Sequence, residues 1–376
     1  MTTPRHVYVH VPFCARRCSY CDFAIAVRRD VPWRDFVDGV TRELDARLGA
    51  ALGPPPPVDT LYVGGGTPSH LGPDGVSALL DALRARLDLG TAREVTLEAN
   101  PEDVTPDAAR AWRDAGIDRV SLGAQSFDPR VLQWMHRLHD AHTIERAIDT
   151  IRATGFTSWS FDLIFAVPEA LGRDWRADLE RALAAEPPHL SLYGLTVEAG
   201  TPLGRWVDRG EATPADEERW ADEFLAADAA AVARGYDHYE VSNFARPGHH
   251  AVHNRAYWRG VPYLGAGPSA HGFDGSTRRW NVAAYAAWLA AVRAGRDPVA
   301  GEERLDPAAR STEDVYLGLR TTAGLVLHPD EAPVVAPWIA AGWAEQRPDG
   351  RLVCTPQGWL RLDALAATLT RHRDPA

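Results

Sequence analysis

Short runs of β-branched and aliphatic residues alternate with longer stretches of helical period along the first half of the chain. The strand-like runs are His6–Val11, Thr60–Val63, Glu94–Glu98, Arg119–Leu122, Ser158–Ile164 and His189–Leu195. Amphipathic stretches lie between them at Trp33–Leu48, Asp74–Leu87, Pro106–Ala115, Thr143–Ala153 and Trp175–Ala185. Such alternation is the pattern of parallel βαβ units. It predicts an α/β fold, as a partial or complete barrel or an open sheet. Polar residues gather where these runs end: cysteines after the first, Gly64–Gly66 after the second, then Glu98, Gln125, Asp162 and Tyr193. Sites in barrels and open α/β sheets form at the C-terminal strand ends.

Beyond Pro214 the pattern predicts a long helix up to Gly235, an aromatic and histidine-rich stretch over Tyr236–His271, and a second long helix near Ala283–Ala294. From about Asp306 the texture changes to short helices broken by Gly and Pro, with a hairpin around Pro348-Asp349-Gly350. The expected division is a barrel over 1–240, an extension packing on it over 241–295, and a small, mainly helical C-terminal domain of winged-helix type over 296–376.

The chain has 376 residues, with 40 basic and 51 acidic side chains and a net charge of −11. That balance does not favour nucleic acid, whose affinity rests largely on phosphate neutralisation. Every basic residue is arginine. The absence of lysine removes Schiff-base chemistry, a Ser–Lys dyad and a P-loop lysine. The opening MTTPRHVYVH has no signal-peptide core, and the longest apolar run, near Asn281–Val292, is too short to span a bilayer. A cytoplasmic protein with no integral membrane segment is expected.

Three of the four cysteines lie close together, as Cys14-Ala-Arg-Arg-Cys18-Ser-Tyr-Cys21, while Cys354 stands alone. Soft thiolates suit zinc or an iron–sulfur cluster. Structural zinc usually takes four ligands, commonly as two pairs, and no second pair exists here. Three cysteines on a cubane would leave one iron open to a further ligand. Cys354 reads as an ordinary residue of the terminal domain.

The CxxxCxxC spacing after a strand resembles the radical S-adenosylmethionine (SAM) superfamily. The resemblance extends to Tyr8-Val-His10-Val-Pro12-Phe13, Gly64-Gly65-Gly66-Thr67-Pro68, Glu98-Ala-Asn100-Pro101, Gly123-Ala-Gln125-Ser-Phe127, Asp162-Leu-Ile and His189-Leu-Ser-Leu-Tyr193. Together these look like the HemN/HemW branch, the oxygen-independent coproporphyrinogen oxidase-like proteins. The resemblance implies a partial (β/α) barrel and a 4Fe–4S cluster on Cys14, Cys18 and Cys21. SAM would chelate the fourth iron and be cleaved by an electron from the cluster to a 5′-deoxyadenosyl radical. It also implies that Tyr8 packs near SAM and that Gly65, Gly66 and Thr67 bring backbone close to its amino and carboxylate groups. Glu98, Gln125, Arg137 and Asp162 would supply further contacts.

Within that branch, Cys21-Asp22-Phe23 lacks the fourth cysteine of the oxidase and resembles the haem chaperones of HemW type. So does His253-Asn254-Arg-Ala-Tyr257-Trp258, an HNxxYW motif tied there to haem. The resemblance makes His253 the expected iron ligand. An unremarkable buried histidine, bonded within the fold, is the alternative. The implied work is binding haem and passing it to an acceptor protein, with an electron donor and a homodimer both compatible. The rival reading is oxidative decarboxylation of coproporphyrinogen III. Two places depart from the family's pattern: Phe165-Ala166-Val167-Pro168 replaces a Tyr-Gly-Leu-Pro sequence, and Pro268-Ser269 stands where glycine-rich residues are usual.

Overall fold

The computed structural model describes residues 4–49 and 54–373. Nine strands form one sheet: β1 (His6–Val11), β2 (Thr60–Gly65), β3 (Glu94–Ala99), β4 (Arg119–Gln125), β5 (Ser158–Phe165), β6 (His189–Gly194), β7 (Asp237–Glu240), β8 (Asn243–Ala245) and β9 (Leu264–Ala266). Their order is β9-β1-β2-β3-β4-β5-β6-β8-β7. Pairing is parallel from β9 to β6, and β8 and β7 add antiparallel at the far edge. The two edges do not pair with each other, so the barrel is partial, as expected.

The helices α1 (Trp33–Leu48), α2 (Gly72–Arg84), α3 (Pro106–Asp114), α4 (Ala141–Ala153), α5 (Trp175–Ala184) and α6 (Glu217–Val232) follow the strands in turn. Several start on a side-chain cap: Thr105, Asp140, Asp174 and Asp216 each accept from a backbone N–H in the first turn. They seal one sheet face, onto which the strands send Val7, Val9, Leu61, Val63, Val95, Leu97, Val120 and Leu122, all buried. Side chains alternate along a strand, so the intervening residues turn to the other face. The register sets Tyr8 beside Tyr62, Glu98 beside Ser121, and Gly123, Asp162 and Ser191 in one row. The interior of the partial barrel is therefore polar and aromatic, and its helix-covered exterior is apolar.

The segment 241–295, expected as an extension packing on the barrel, supplies β8 and β9 to the sheet itself. Buried Glu43 of α1 locks it in place. Its Oε2 accepts from Gly267 N at 2.9 Å and Trp288 Nε1 at 2.8 Å. Its Oε1 accepts from Asn281 Nδ2 at 2.6 Å and pairs with Arg47 at 2.7 Å. A buried carboxylate satisfied on both oxygens tolerates desolvation that an unpaired one would not. Towards the C-terminus, helices Pro307–Leu319, Ala332–Ala340 and Leu362–Arg373 surround a three-stranded antiparallel sheet. Strands Ala344–Gln346 and Arg351–Cys354 form the hairpin that Pro348-Asp349-Gly350 predicts. Cys354 is buried there, which pushes its thiol up to about 12.

At both departures from the family's pattern the backbone is left-handed, with φ 57° at Ala166 and 60° at Ser269. A side chain there meets a steric cost that glycine does not. Ala166→Gly and Ser269→Gly should each stabilise the fold by about 0.5–1 kcal/mol, the strain relieved less the added freedom of the unfolded chain. Denaturant titration of each variant checks this, and a loss of stability in both would contradict it.

Candidate functional site

The three cysteines sit on a loop closed by a miniature parallel ladder in which Phe13–Cys14 pairs with Ala26–Val27. Ala26 N donates to Pro12 O at 2.7 Å and Arg28 N to Cys14 O at 3.0 Å. The loop is tied further at Ser19, whose N–H donates to Met135 O at 3.2 Å and whose carbonyl accepts from Leu203 N at 2.8 Å. The thiols are held apart on separate partners. Thr67 Oγ1 donates to Cys14 Sγ at 3.4 Å, and Arg137 Nη1 to Cys18 Sγ at 3.5 Å. Burial raises Cys14 to about 11, against the lowering effect of the Thr67 hydroxyl, and burial also raises Cys21.

Among the described residues no three His, Cys, Asp or Glu side chains converge as a single ion would require. A cluster asks for something different, one thiolate per iron, with donors to sulfur tuning its potential. Three spaced thiols with a hydroxyl and a guanidinium on two of them fit that demand better than they fit zinc.

A cavity of about 430 Å³ opens beside this loop. It is lined by all three cysteines and by Gly65, Gly66, Thr67, Glu98, Gln125, Arg137 and Asp162, seven of the eight residues expected at SAM. Glu98 closes its floor. Tyr62 Oη donates to Glu98 Oε1 at 2.8 Å and Gly65 N to Oε2 at 3.0 Å. Burial raises this carboxyl to about 7, partly offset by the Tyr62 hydrogen bond. Asp162 accepts from Ser121 at 2.8 Å and Ser160 at 3.2 Å, and burial raises it too. Arg137 Nη2 donates to Asn100 Oδ1 at 2.6 Å and Gly123 O at 2.7 Å. Burial opposes its charge, but Tyr20, Cys18 and Glu102 outweigh that and hold it cationic. Gln125 and His136 adopt left-handed backbone, φ 67° and 60°, on the same wall. Strain of this kind concentrates at functional sites.

The fold itself also depends on these glycines. Gly65 N and Gly66 N are already spent on Glu98 and on Val11 O, the latter at 2.7 Å. Any ligand contact with these two residues falls on a carbonyl or a Cα. A Cβ on Gly66 would lie 2.9 Å from Phe13 O and Pro12 O, in the backbone leading to Cys14. Glycine is required here because the end of β2 packs on the cysteine loop itself.

A second cavity, of about 570 Å³, adjoins the first and shares Asp22, Phe23, Tyr62, Glu98 and Tyr193 with it. Tyr8 lines this second cavity, where its ring stacks at 6.1 Å on Tyr62 of the shared wall. Phe23, of the Cys21-Asp22-Phe23 motif, is 56 % exposed on the dividing wall, and Tyr193 is 43 % exposed into both spaces. His253 also reaches the second cavity, but it is buried and engaged at both nitrogens. Nδ1 lies 2.7 Å from Thr60 Oγ1 and Nε2 lies 2.9 Å from Tyr257 Oη. A neutral ring satisfies both, donating once and accepting once. Burial, with a small push from His6, lowers it to about 3 and keeps it neutral. The structure thus gives His253 the geometry of a bonded core histidine, not that of an open ligand. Tyr62 is not marked by the sequence reading, and Asn100 and Tyr193 appear there only as motif and strand-end residues without an assigned role. Their signal was present in strand alternation and in the Glu98-Ala-Asn100-Pro101 run.

A strand-end thiolate loop on a partial parallel barrel defines a radical SAM protein, and the sequence profile of the radical SAM superfamily matches residues 8–182. Over nearly its full length the chain is similar to the heme chaperone HemW of Mycobacterium tuberculosis, at 40% identity with 97% of this chain and 95% of that protein covered. It is 38% identical to HemW of Escherichia coli over 72% of this chain and 70% of that one. The chain belongs to the HemW family. The solved structure of the radical SAM enzyme coproporphyrinogen III oxidase (HemN) from Escherichia coli has the same fold, with a TM-score of 0.80 at 22% identity over 98% of this chain and 91% of that one.

Two outcomes follow for the site. Gly66→Ala should displace the cysteine loop and lower cluster iron after anaerobic reconstitution, as should Cys14→Ala, Cys18→Ala or Cys21→Ala; Cys354→Ala should retain full iron. A Gly66→Ala protein with wild-type iron content would show that the loop does not depend on this contact. Burial pushes the Glu98 carboxyl up to about 7, and SAM is cationic at its sulfonium. The ionised form favours such a ligand, so SAM affinity should rise with pH between 6 and 8 more steeply in the wild type than in Glu98→Gln. Calorimetry across that range checks it, and a pH-independent wild-type affinity would contradict it.

Proposed function

We propose that this protein is a haem chaperone of radical SAM type, which binds haem in the second cavity and passes it to an acceptor protein. The observation that carries this reading is the pair of adjoining cavities. One has the thiolate loop, and the other has an aromatic wall of Tyr8, Tyr62, Tyr257 and Tyr263 with three histidines. Relatives that cover nearly the whole chain bear the name heme chaperone, which supports it. The chain's need for reduced thiols fits a cytoplasmic setting.

In this reading Cys14, Cys18 and Cys21 hold a 4Fe–4S cluster, and Glu98, Gln125, Arg137 and Asp162 hold SAM beside it. Together these cofactors supply one-electron chemistry when bound. The residues of the chain provide placement and charge. Arg137 offsets negative charge at Cys18 and fixes Asn100 and the end of β4. Glu98 links the two cavities, since Tyr62 donates to it from the wall that Tyr8 and His253 stack against. Flat aromatic side chains suit a porphyrin face, and a cavity of several hundred Å³ suits a cofactor-sized ligand.

The test is an anaerobic titration of the reconstituted protein with haem, with a parallel assay on coproporphyrinogen III, SAM and a reductant. Saturation at one haem per chain with no porphyrin product is expected. Turnover of coproporphyrinogen with no haem binding would replace this reading by the oxidase.

A further inference from the structure

Three histidines line the second cavity: His10, His253 and His271. Two are already committed within the fold. His10 places Nδ1 at 3.1 Å from Tyr8 Oη and Nε2 at 3.1 Å from Ala24 O. His253 has Thr60 and Tyr257 on its two nitrogens. Its backbone is fixed as well, because Val252 N and His253 N donate to Glu94 at 2.7 and 2.9 Å. A ring nitrogen in that position could reach iron only by giving up Tyr257 or Thr60 and leaving a buried polar group unpaired.

His271 differs on every count. Its side chain is exposed and lines the cavity, and no hydrogen bond among the described residues engages either ring nitrogen. Its position is nevertheless firm. It opens the strand His271–Phe273, which pairs with Thr277–Asn281, and its ring stacks on Trp280 at 5.9 Å. Tyr263 and Phe273 exchange backbone hydrogen bonds at 2.8 and 2.9 Å and join this strand to the mouth of the cavity. An imidazole on a rigid strand with a free nitrogen facing a cofactor-sized space has what axial ligation asks for.

We propose that His271, rather than His253, supplies the nitrogen ligand to haem iron, and that His253 is a positioning residue. His253 sits within a row of rings, with Tyr62 at 5.2 Å and Tyr257 at 4.8 Å, and Tyr257 in turn meets Tyr263 at 4.7 Å. Its hydrogen bond to Tyr257 Oη holds that row in place. The inference rests on the haem-chaperone reading and adds the ligand to it.

The experiment is haem titration of the full-length, cluster-reconstituted protein as wild type, His271→Ala, His271→Gln and His253→Ala. Ferric-haem EPR and the Soret position are recorded, with and without added imidazole. Both His271 variants should lose the imidazole-type signal and bind haem more than tenfold more weakly, and imidazole should restore the signal in His271→Ala. His253→Ala should keep the wild-type signal at saturating haem, even if more haem is needed to reach it. Equal cluster iron in all four proteins shows that the fold is intact. Wild-type spectra in both His271 variants, or loss of the signal in His253→Ala with rescue by imidazole, would overturn the assignment while leaving haem binding in place. A wild-type protein that binds no haem would overturn the chaperone reading itself, and this inference with it.

Discussion

Two-residue alternation in a sheet sealed on one face by helices decides most of this molecule. The apolar positions of β1 to β5 turn outward under the helices, so Tyr8, Tyr62, Glu98, Ser121 and Asp162 have no choice but the interior. A buried polar group is costly unless bonded. The inner face answers with internal pairs: Tyr62 and Gly65 on Glu98, and Ser121 and Ser160 on Asp162. Where the strands end, that polar row runs out into the two cavities.

The same constraint explains why the cavities touch. Tyr62 lies between Tyr8 and the β3 strand, bonded to Glu98 on one side and stacked on His253 on the other. Its ring and the Glu98 carboxyl therefore belong to both spaces. The wall is completed by Asp22 and Phe23, which directly follow the last cluster cysteine in sequence. A haem in one space and a cluster in the other would be neighbours by construction of the sheet.

Much of this was legible in the chain. The run His6–Val11 and the period over Trp33–Leu48 coincide with β1 and α1, because buried parallel strands and amphipathic helices each leave a clear local pattern. The thiolate loop was legible from spacing alone. Long-range pairing was not: nothing local in Leu264–Ala266 says that it docks beside β1. Side-chain partnership was also hidden. A motif marks His253, but only the fold shows that Thr60 and Tyr257 already hold it. The glycine run read as a place for a ligand to approach, and the fold shows Gly66 pressed against Pro12 and Phe13.

In the proposed haem-chaperone reading, cluster and haem occupy adjoining cavities across the Tyr62–Glu98–Phe23 wall. The most direct measurement is the spin relaxation of the reduced cluster by pulsed EPR, with and without one equivalent of copper(II) protoporphyrin, a haem analogue that stays paramagnetic under the reductant. The shared wall predicts faster cluster relaxation when the porphyrin is bound, because a nearby paramagnet opens an additional relaxation path. Cluster relaxation unchanged at full porphyrin occupancy would contradict it and place the porphyrin elsewhere on the protein.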